Sequence, residues 1–174
     1  VIGLIGGNFI EQELRSPTFV AWNLLFWSFV FFAIERYSAG QKLNESDITE
    51  MTLGKILFIG FAQAIALLPG TSRSGITIAG GMLVNLSPTS AARFSFLLGA
   101  PIILAAGAHK TLHFLSSPEN SVHLSGLQLG VGLFVSFIVG YFAIKLLLGI
   151  VSRLGLTPFI CYRILLATYI LITF

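Results

Sequence analysis

Residues 18–34, TFVAWNLLFWSFVFFAI, hold no charged side chain across 17 positions. As α-helix such a run rises about 26 Å, close to the ~30 Å hydrocarbon core of a bilayer. A chain with a stretch like this must bury it or give it to lipid. Composition decides between the two. The chain is 55% hydrophobic and only 10% charged, whereas soluble domains carry about 25% charged residues. A mean hydropathy of +0.90 points the same way. The expected class is an all-α polytopic membrane protein.

Composition also excludes functions. The single cysteine, Cys161, rules out an internal disulfide framework and a cysteine-based zinc site. The formal charge is +3 with no long Lys/Arg run, so nucleic acid has no basic track to follow. The basic residues are better suited to lipid headgroups or an anionic substrate. The sequence begins with Val1, and VIGLIGGNFI reads like the tail of an apolar helix entered mid-course. On that reading the chain is the C-terminal part of a longer one.

Further segments follow the first run. Residues 35–55 hold most of the acidic side chains and are expected to be a solvated loop. ILFIGFAQAIALL (56–68) and ITIAGGMLVNL (76–86) are apolar but too short to cross a membrane singly. Residues 88–108 begin with Ser87 as N-cap and Pro88 in the first turn, with Pro101 placed to kink the helix. Residues 109–126 read as a polar loop, 127–151 as a glycine-punctuated span, and 158–174 as the last span. His109 and His113 stand four apart, a spacing open to metal on a helix face, but no third ligand follows. Interfacial polar residues are the better reading.

Between the two short runs lies LLPGTSRSGITIAGG (67–81). The simplest arrangement is a re-entrant hairpin over 56–86. It breaks at Pro69–Gly70, and its second helix leaves from about Gly75. Irregular backbone survives at membrane depth only when buried in protein or lining a wet cavity. A charged Arg73 there costs about 2.5–3.5 kcal/mol at a helix centre without a partner. Its neighbours suggest that partner. Thr71, Ser72, Ser74 and Thr77 supply hydroxyls, and Gly70 and Gly75 allow close backbone approach. A helix N-terminus favours negative charge, and the arginine fork matches phosphate oxygens. All of this favours an anion, phosphate first. The spacing also resembles a nucleotide P-loop, but Ile76 stands where the lysine must be. Snorkelling of Arg73 to the interface, with Ser and Gly serving only helix packing, is the bland alternative.

The motif P-G-x-S-R-S-x-x-T, met at Pro69, Gly70, Ser72, Arg73, Ser74 and Thr77, resembles the signature of the undecaprenyl pyrophosphate phosphatase family, the bacitracin-resistance proteins. Ala91–Leu98, AARFSFLL, is similar to the family as well. The resemblance implies hydrolysis of undecaprenyl diphosphate to the monophosphate carrier of cell-wall synthesis. It further implies a divalent cation, magnesium or calcium, and a bacterial plasma-membrane location. The implied fold has two inverted halves, each with a re-entrant hairpin, of which this single membrane domain (1–174) would be one half and more. The family's second motif, (E/Q)-x-x-x-E with a nearby Ser and His, has no match here, since Glu11 and Glu13 stand two apart. The cation ligands and the general base are therefore expected outside this chain.

Roles for the motif residues follow from the same resemblance and from phosphate chemistry. Arg73 is expected to clamp the diphosphate, and Ser72 and Thr77 to orient phosphate oxygens, with Ser72 the alternative nucleophile. Gly70, Thr71, Ser74 and Gly75 shape the cradle and contact the anion. Arg93 is either a second phosphate contact or a headgroup anchor. Two rival functions remain. A polyprenyl-phosphate translocase would use the same cradle without hydrolysis, and a fragment without the upstream carboxylates would be non-catalytic.

Overall fold

The computed structural model of the chain describes residues 16–41, 48, 51–116 and 126–174. The expected N-terminal helix tail, Glu11, Glu13 and His123 lie outside the described residues, as does the side chain of His113. The described residues form six α-helices. They are α1 (Pro17–Ala39), α2 (Leu53–Ile65), α3 (Arg73–Leu83), α4 (Pro88–Ser116), α5 (Gly126–Leu154) and α6 (Thr157–Thr173). The all-α expectation holds among them. Three helices, Pro17–Ala39, Pro88–Leu112 and Gly126–Leu154, are long and apolar enough to cross a membrane, and the protein is a membrane protein.

Local chemistry explains the helix starts. Ser16 caps α1 by accepting from Phe19 N at 3.3 Å, and Pro17 occupies the first turn. Ser87 caps α4 as expected, its Oγ accepting from Ser90 N at 3.2 Å. Several boundaries differ from the sequence reading: α2 begins at Leu53, inside the expected 35–55 loop, and α5 runs to Leu154. Helix α1 runs through Ala39, so Glu35 and Arg36 are helical rather than part of a solvated loop. Arg36 lies over the Phe32 ring at 5.1 Å, and Glu35 is tied to the start of α6. Helix α4 likewise continues through Ser116, beyond the expected end at 108. In both cases the hydropathy falls before the helix ends, because backbone hydrogen bonding does not need an apolar side chain.

The short helices α2 and α3, of 13 and 11 residues, pack on each other. Gly80 of α3 rests against Ala62 and Ile59 of α2, where a Cβ would find ordinary contact at 3.7–3.8 Å. Helix α3 packs tightly on α4 as well. A Cβ at Gly81 would lie 2.8 Å from the Ala91 Cβ, a close backbone approach of the kind small residues allow. Seven of the eleven residues of α3 are buried, so this short, glycine-rich helix is the centre of the molecule. Helix α1 pairs with α6 along Ala21, Leu24 and Ala167. Helix α5 is the opposite case, with Val151 its one buried residue.

The corner between α5 and α6 is fixed by a carboxylate. Glu35 Oε1 accepts from Leu156 N at 2.6 Å, and Oε2 accepts from Thr157 Oγ1 at 2.9 Å. Gly155 adopts φ +64° in this turn, and a Cβ there would collide with Glu35 Oε1. A negative charge at a helix N-terminus complements its dipole.

Candidate functional site

The loop from Ala66 to Ser72 joins α2 to α3, and its geometry is unusual. Gly70 takes φ +90°, and a Cβ there would press on Val20 O at 2.8 Å. Ser72 takes φ +70° and ψ +106°, where an N-cap normally has extended dihedrals with negative φ. A non-glycine residue held there costs about 1–3 kcal/mol and persists only where its surroundings over-determine it. Here they do. Ser72 Oγ accepts from Gly75 N at 3.2 Å, and Ser72 O accepts from Ile76 N at 3.1 Å. Helix α3 therefore starts at Arg73, two residues earlier than the sequence suggests.

Two cavities flank the start of α3. The first, of about 270 Å³, is lined by Gln63 of α2, Arg73, Ser74 and Thr77 of α3, and Ser95 with apolar neighbours on α4. Arg73 is exposed. Its guanidinium makes no hydrogen bond to any described residue. The only carboxylate side chain among the described residues is Glu35, engaged at the α5–α6 corner. Arg73 thus presents an unpaired fork beside a hydroxyl, a carboxamide and the positive end of a helix. Phe96 and Ile103 give the same cavity an apolar wall.

Thr77 is 1% exposed. Its Oγ1 lies 3.0 Å from Arg73 O and 3.1 Å from Ser74 O, to which it donates, and 2.6 Å from Ser95 Oγ. With its one proton directed at the helix carbonyls, Thr77 accepts from Ser95. The pair ties α3 to α4 directly under Arg73.

The second cavity, of about 80 Å³, lies on the other side of Ser74. Ser72, Ser74, Gly75 and Arg163 form its polar end, and Phe31, Val151 and Ile160 are among its apolar walls. Gly75 is required here, since a Cβ would lie 2.7 Å from Phe31 Cε2. Its N–H is already taken by Ser72, so this glycine serves packing against α1.

The site residues read from the sequence therefore fall into groups. Arg73, Ser74 and Thr77 share the first cavity, while Ser72, Ser74 and Gly75 line the second. Gly70 and Thr71 line neither. Thr71 is fully buried, and its Oγ1 accepts from Asn23 Nδ2 at 3.0 Å. Arg93 is exposed on α4 and also lines neither cavity. Sequence reasoning missed Gln63 and Ser95, and it missed Asn23 and Arg163, which hold the loop from beneath, with Ser28, which accepts from Arg163 Nε. The signal for Arg163 was present: it is the one charge within 157–174, and charges inside apolar spans are rarely idle.

The cradle does not suit a hard divalent cation by itself. Such ions favour carboxylate and carbonyl oxygens, and this site offers an arginine and hydroxyls. Among the described residues no three His, Cys, Asp or Glu side chains come together.

Comparison with known proteins places the chain in a family. The family model described as bacitracin resistance protein BacA matches residues 1–169. The chain belongs to the bacitracin resistance protein family. Curated relatives include undecaprenyl-diphosphatase 2 of Stutzerimonas stutzeri, 39% identical over 100% of this chain and 63% of that protein. The undecaprenyl-diphosphatase of Chromohalobacter salexigens is 42% identical over 99% of this chain and 62% of its own length. That of Colwellia psychrerythraea is 37% identical over 98% and 61%. The chain thus spans less than two thirds of the length of these relatives.

Proposed function

We propose that this chain supplies the phosphate-binding part of an undecaprenyl-diphosphatase. The observation that carries this reading is the unpaired Arg73 guanidinium in a cavity with Ser74 and Gln63 at the start of α3. A polyprenyl diphosphate has two features to be met, a highly charged head and an apolar tail. Arg73 and Ser74 suit the head, and the wall formed by Phe96 and Ile103 suits the tail beside it. In the reaction, water attacks the terminal phosphorus and the bond to the bridging oxygen breaks. The products are undecaprenyl monophosphate and inorganic phosphate. Arg73 stabilises charge on the terminal phosphate oxygens as that bond breaks. Thr77 acts one step back, fixing the first turn of α3 that carries Arg73.

Ser72 is read as a positioning residue. Its Oγ caps Gly75, and a nucleophilic serine needs a base within hydrogen-bond reach. The sole described carboxylate side chain, Glu35, is bonded to Leu156 and Thr157 instead. The base and the ligands for magnesium or calcium accordingly belong to residues beyond those described. We place the protein in the bacterial inner membrane, with α2 and α3 as a re-entrant hairpin within an inverted-repeat fold. At 13 and 11 residues the two helices rise only about 20 and 17 Å, which favours entry and exit on one face.

The function is tested by phosphate release from undecaprenyl diphosphate with magnesium or calcium. The protein of full family length that contains this chain should turn over, and the 174 residues alone should release little. Binding without release by the longer protein would favour a translocase. The hairpin is tested separately with cysteines at Lys55 and Asn85 and an impermeant thiol reagent. Both should label from one side, and labelling from opposite sides would exclude re-entry.

A further inference from the structure

The loop that sets up Arg73 is gripped from two sides by side chains that the phosphatase reading does not use. From α1, Asn23 Nδ2 donates to Pro69 O at 2.6 Å and to Thr71 Oγ1 at 3.0 Å. From α6, Arg163 Nη2 donates to Gly70 O at 2.8 Å, while its Nε donates to Ser28 Oγ at 3.3 Å. Ser28 in turn donates to Leu24 O at 2.7 Å. The Arg163 guanidinium also lies over the Phe31 ring at 5.4 Å, the same ring that occupies the space beside Gly75. Consecutive carbonyls of an irregular loop, Pro69 and Gly70, are thus satisfied by two helices from opposite ends of the described chain.

Ordinary span packing does not require this arrangement. Elsewhere α1 and α6 meet through Ala21, Leu24 and Ala167, which needs no charge. Loop carbonyls in an apolar interior must find donors, and a guanidinium can serve two separate acceptors while stacking on an aromatic face. An ammonium group lacks the planar, spread donors that meet two separated acceptors while a flat face stacks on the ring. The loop so held includes Gly70 at φ +90° and ends at Ser72 at φ +70°, a backbone that relaxes unless its surroundings fix it.

We propose that Asn23 and Arg163 form a clamp that holds the Pro69–Ser72 loop and thereby aims Arg73, making both of them positioning residues for the phosphate cradle. The proposal rests on the phosphatase reading only for its effect on turnover. Its structural content is independent: the loop is held closed by the clamp and loosens without it.

The test therefore has two readouts in the protein of full family length. The first is thiol reactivity of Thr71→Cys in a Cys161→Ser background, since Thr71 is fully buried and its thiol should be protected. Arg163→Gln and Asn23→Ala should each raise its labelling rate at least tenfold, and Arg163→Lys should give partial protection. Unchanged protection in both variants would overturn the clamp, whatever the enzyme does. The second readout is phosphate release. Each variant should lower kcat while leaving KM within about threefold, and the double variant should be little worse than the poorer single one, as for residues acting on one element. Additive losses would overturn the shared role. Should Arg163→Gln fail to accumulate, Asn23→Ser carries the test from α1, and normal protection with normal turnover would refute the proposal. Failure of the wild-type protein to release phosphate would instead refute the functional reading, leaving the labelling result to stand alone.

Discussion

Arg73 and Arg163 approach the same few residues of the loop from opposite sides and are used in opposite ways. Arg163 is half-buried, with its donors committed to Gly70 O and Ser28 Oγ and its face against Phe31. Arg73 is exposed in a cavity, and its guanidinium makes no bond to any described side chain or carbonyl. Neither has a carboxylate partner among the described residues, so pairing does not distinguish them. What distinguishes them is whether the protein itself supplies acceptors. A cation that the fold fully satisfies is part of the scaffold, and one left unsatisfied beside hydroxyls is free to meet a ligand. The sequence points to the second kind because Arg73 comes with a recognisable motif.

The sharpest way to break this contrast is substitution of Arg73 itself. Loss of a charge-stabilising donor commonly costs about 2.7–4 kcal/mol, or about 100- to 1000-fold in turnover. Arg73→Ala and Arg73→Lys should both fall in that range in the protein of full family length, because lysine keeps the charge and loses the fork. Thermal stability should barely move, since the Arg73 guanidinium bonds no described residue and the substitutions keep the backbone carbonyl that Thr77 Oγ1 meets. Near-normal phosphate release from Arg73→Lys would make this arginine an interfacial anchor, and the contrast with Arg163 would collapse.

A smaller effect is expected where the two sides meet, at Gly75. The Phe31 ring fills the position of a side chain there, 2.7 Å from where a Cβ would stand. Overpacking of this kind costs about 1–3 kcal/mol, so Gly75→Ala should lower the thermal midpoint and reduce turnover as α3 shifts from α1. Gly80→Ala is the control on the same helix, because its Cβ would find ordinary contact at 3.7 Å. Equal behaviour of the two alanine variants would show that the close approach of Phe31 is not required.

How much of this is legible in the sequence follows from where the information sits. Hydropathy places all six helices, since apolar runs of 11 residues and more are a local signal. The motif locates Arg73, Ser72, Ser74 and Thr77 for the same reason. The ends of α1 and α4 are read too early, because backbone hydrogen bonding carries a helix past its apolar stretch. The clamp escapes notice for a different reason. Asn23 and Arg163 act on the loop at residues 69–72, and contacts between residues 46 to 93 positions apart leave no local spacing to read. Glycine is read in part for the wrong purpose. Gly75 looks like a means of exposing an N–H to a ligand, whereas Ser72 takes that N–H and the bare Cα admits Phe31.

The smallest expected effect belongs to Arg93, and it tests whether position alone makes a cation functional. Arg93 stands on α4 only two residues from Ser95, which lines the Arg73 cavity. It shares the positive charge of Arg73 and Arg163 but lines neither cavity and is exposed. Successive helix residues project about 100° apart, so residues two apart face different directions and closeness in sequence does not bring Arg93 to the cradle. An exposed cation of this kind contributes about 1 kcal/mol at most, which limits the expected change in turnover of Arg93→Gln to about fivefold. The loss should also shrink at high salt if headgroup attraction is its origin, because exposed charges are screened over about 10 Å at 0.1 M. A salt-independent loss approaching that of Arg73→Ala would mean that Arg93 reaches the diphosphate after all. The rule that an unsatisfied cation in a cavity marks the site would then have overlooked a ligand contact made from outside it.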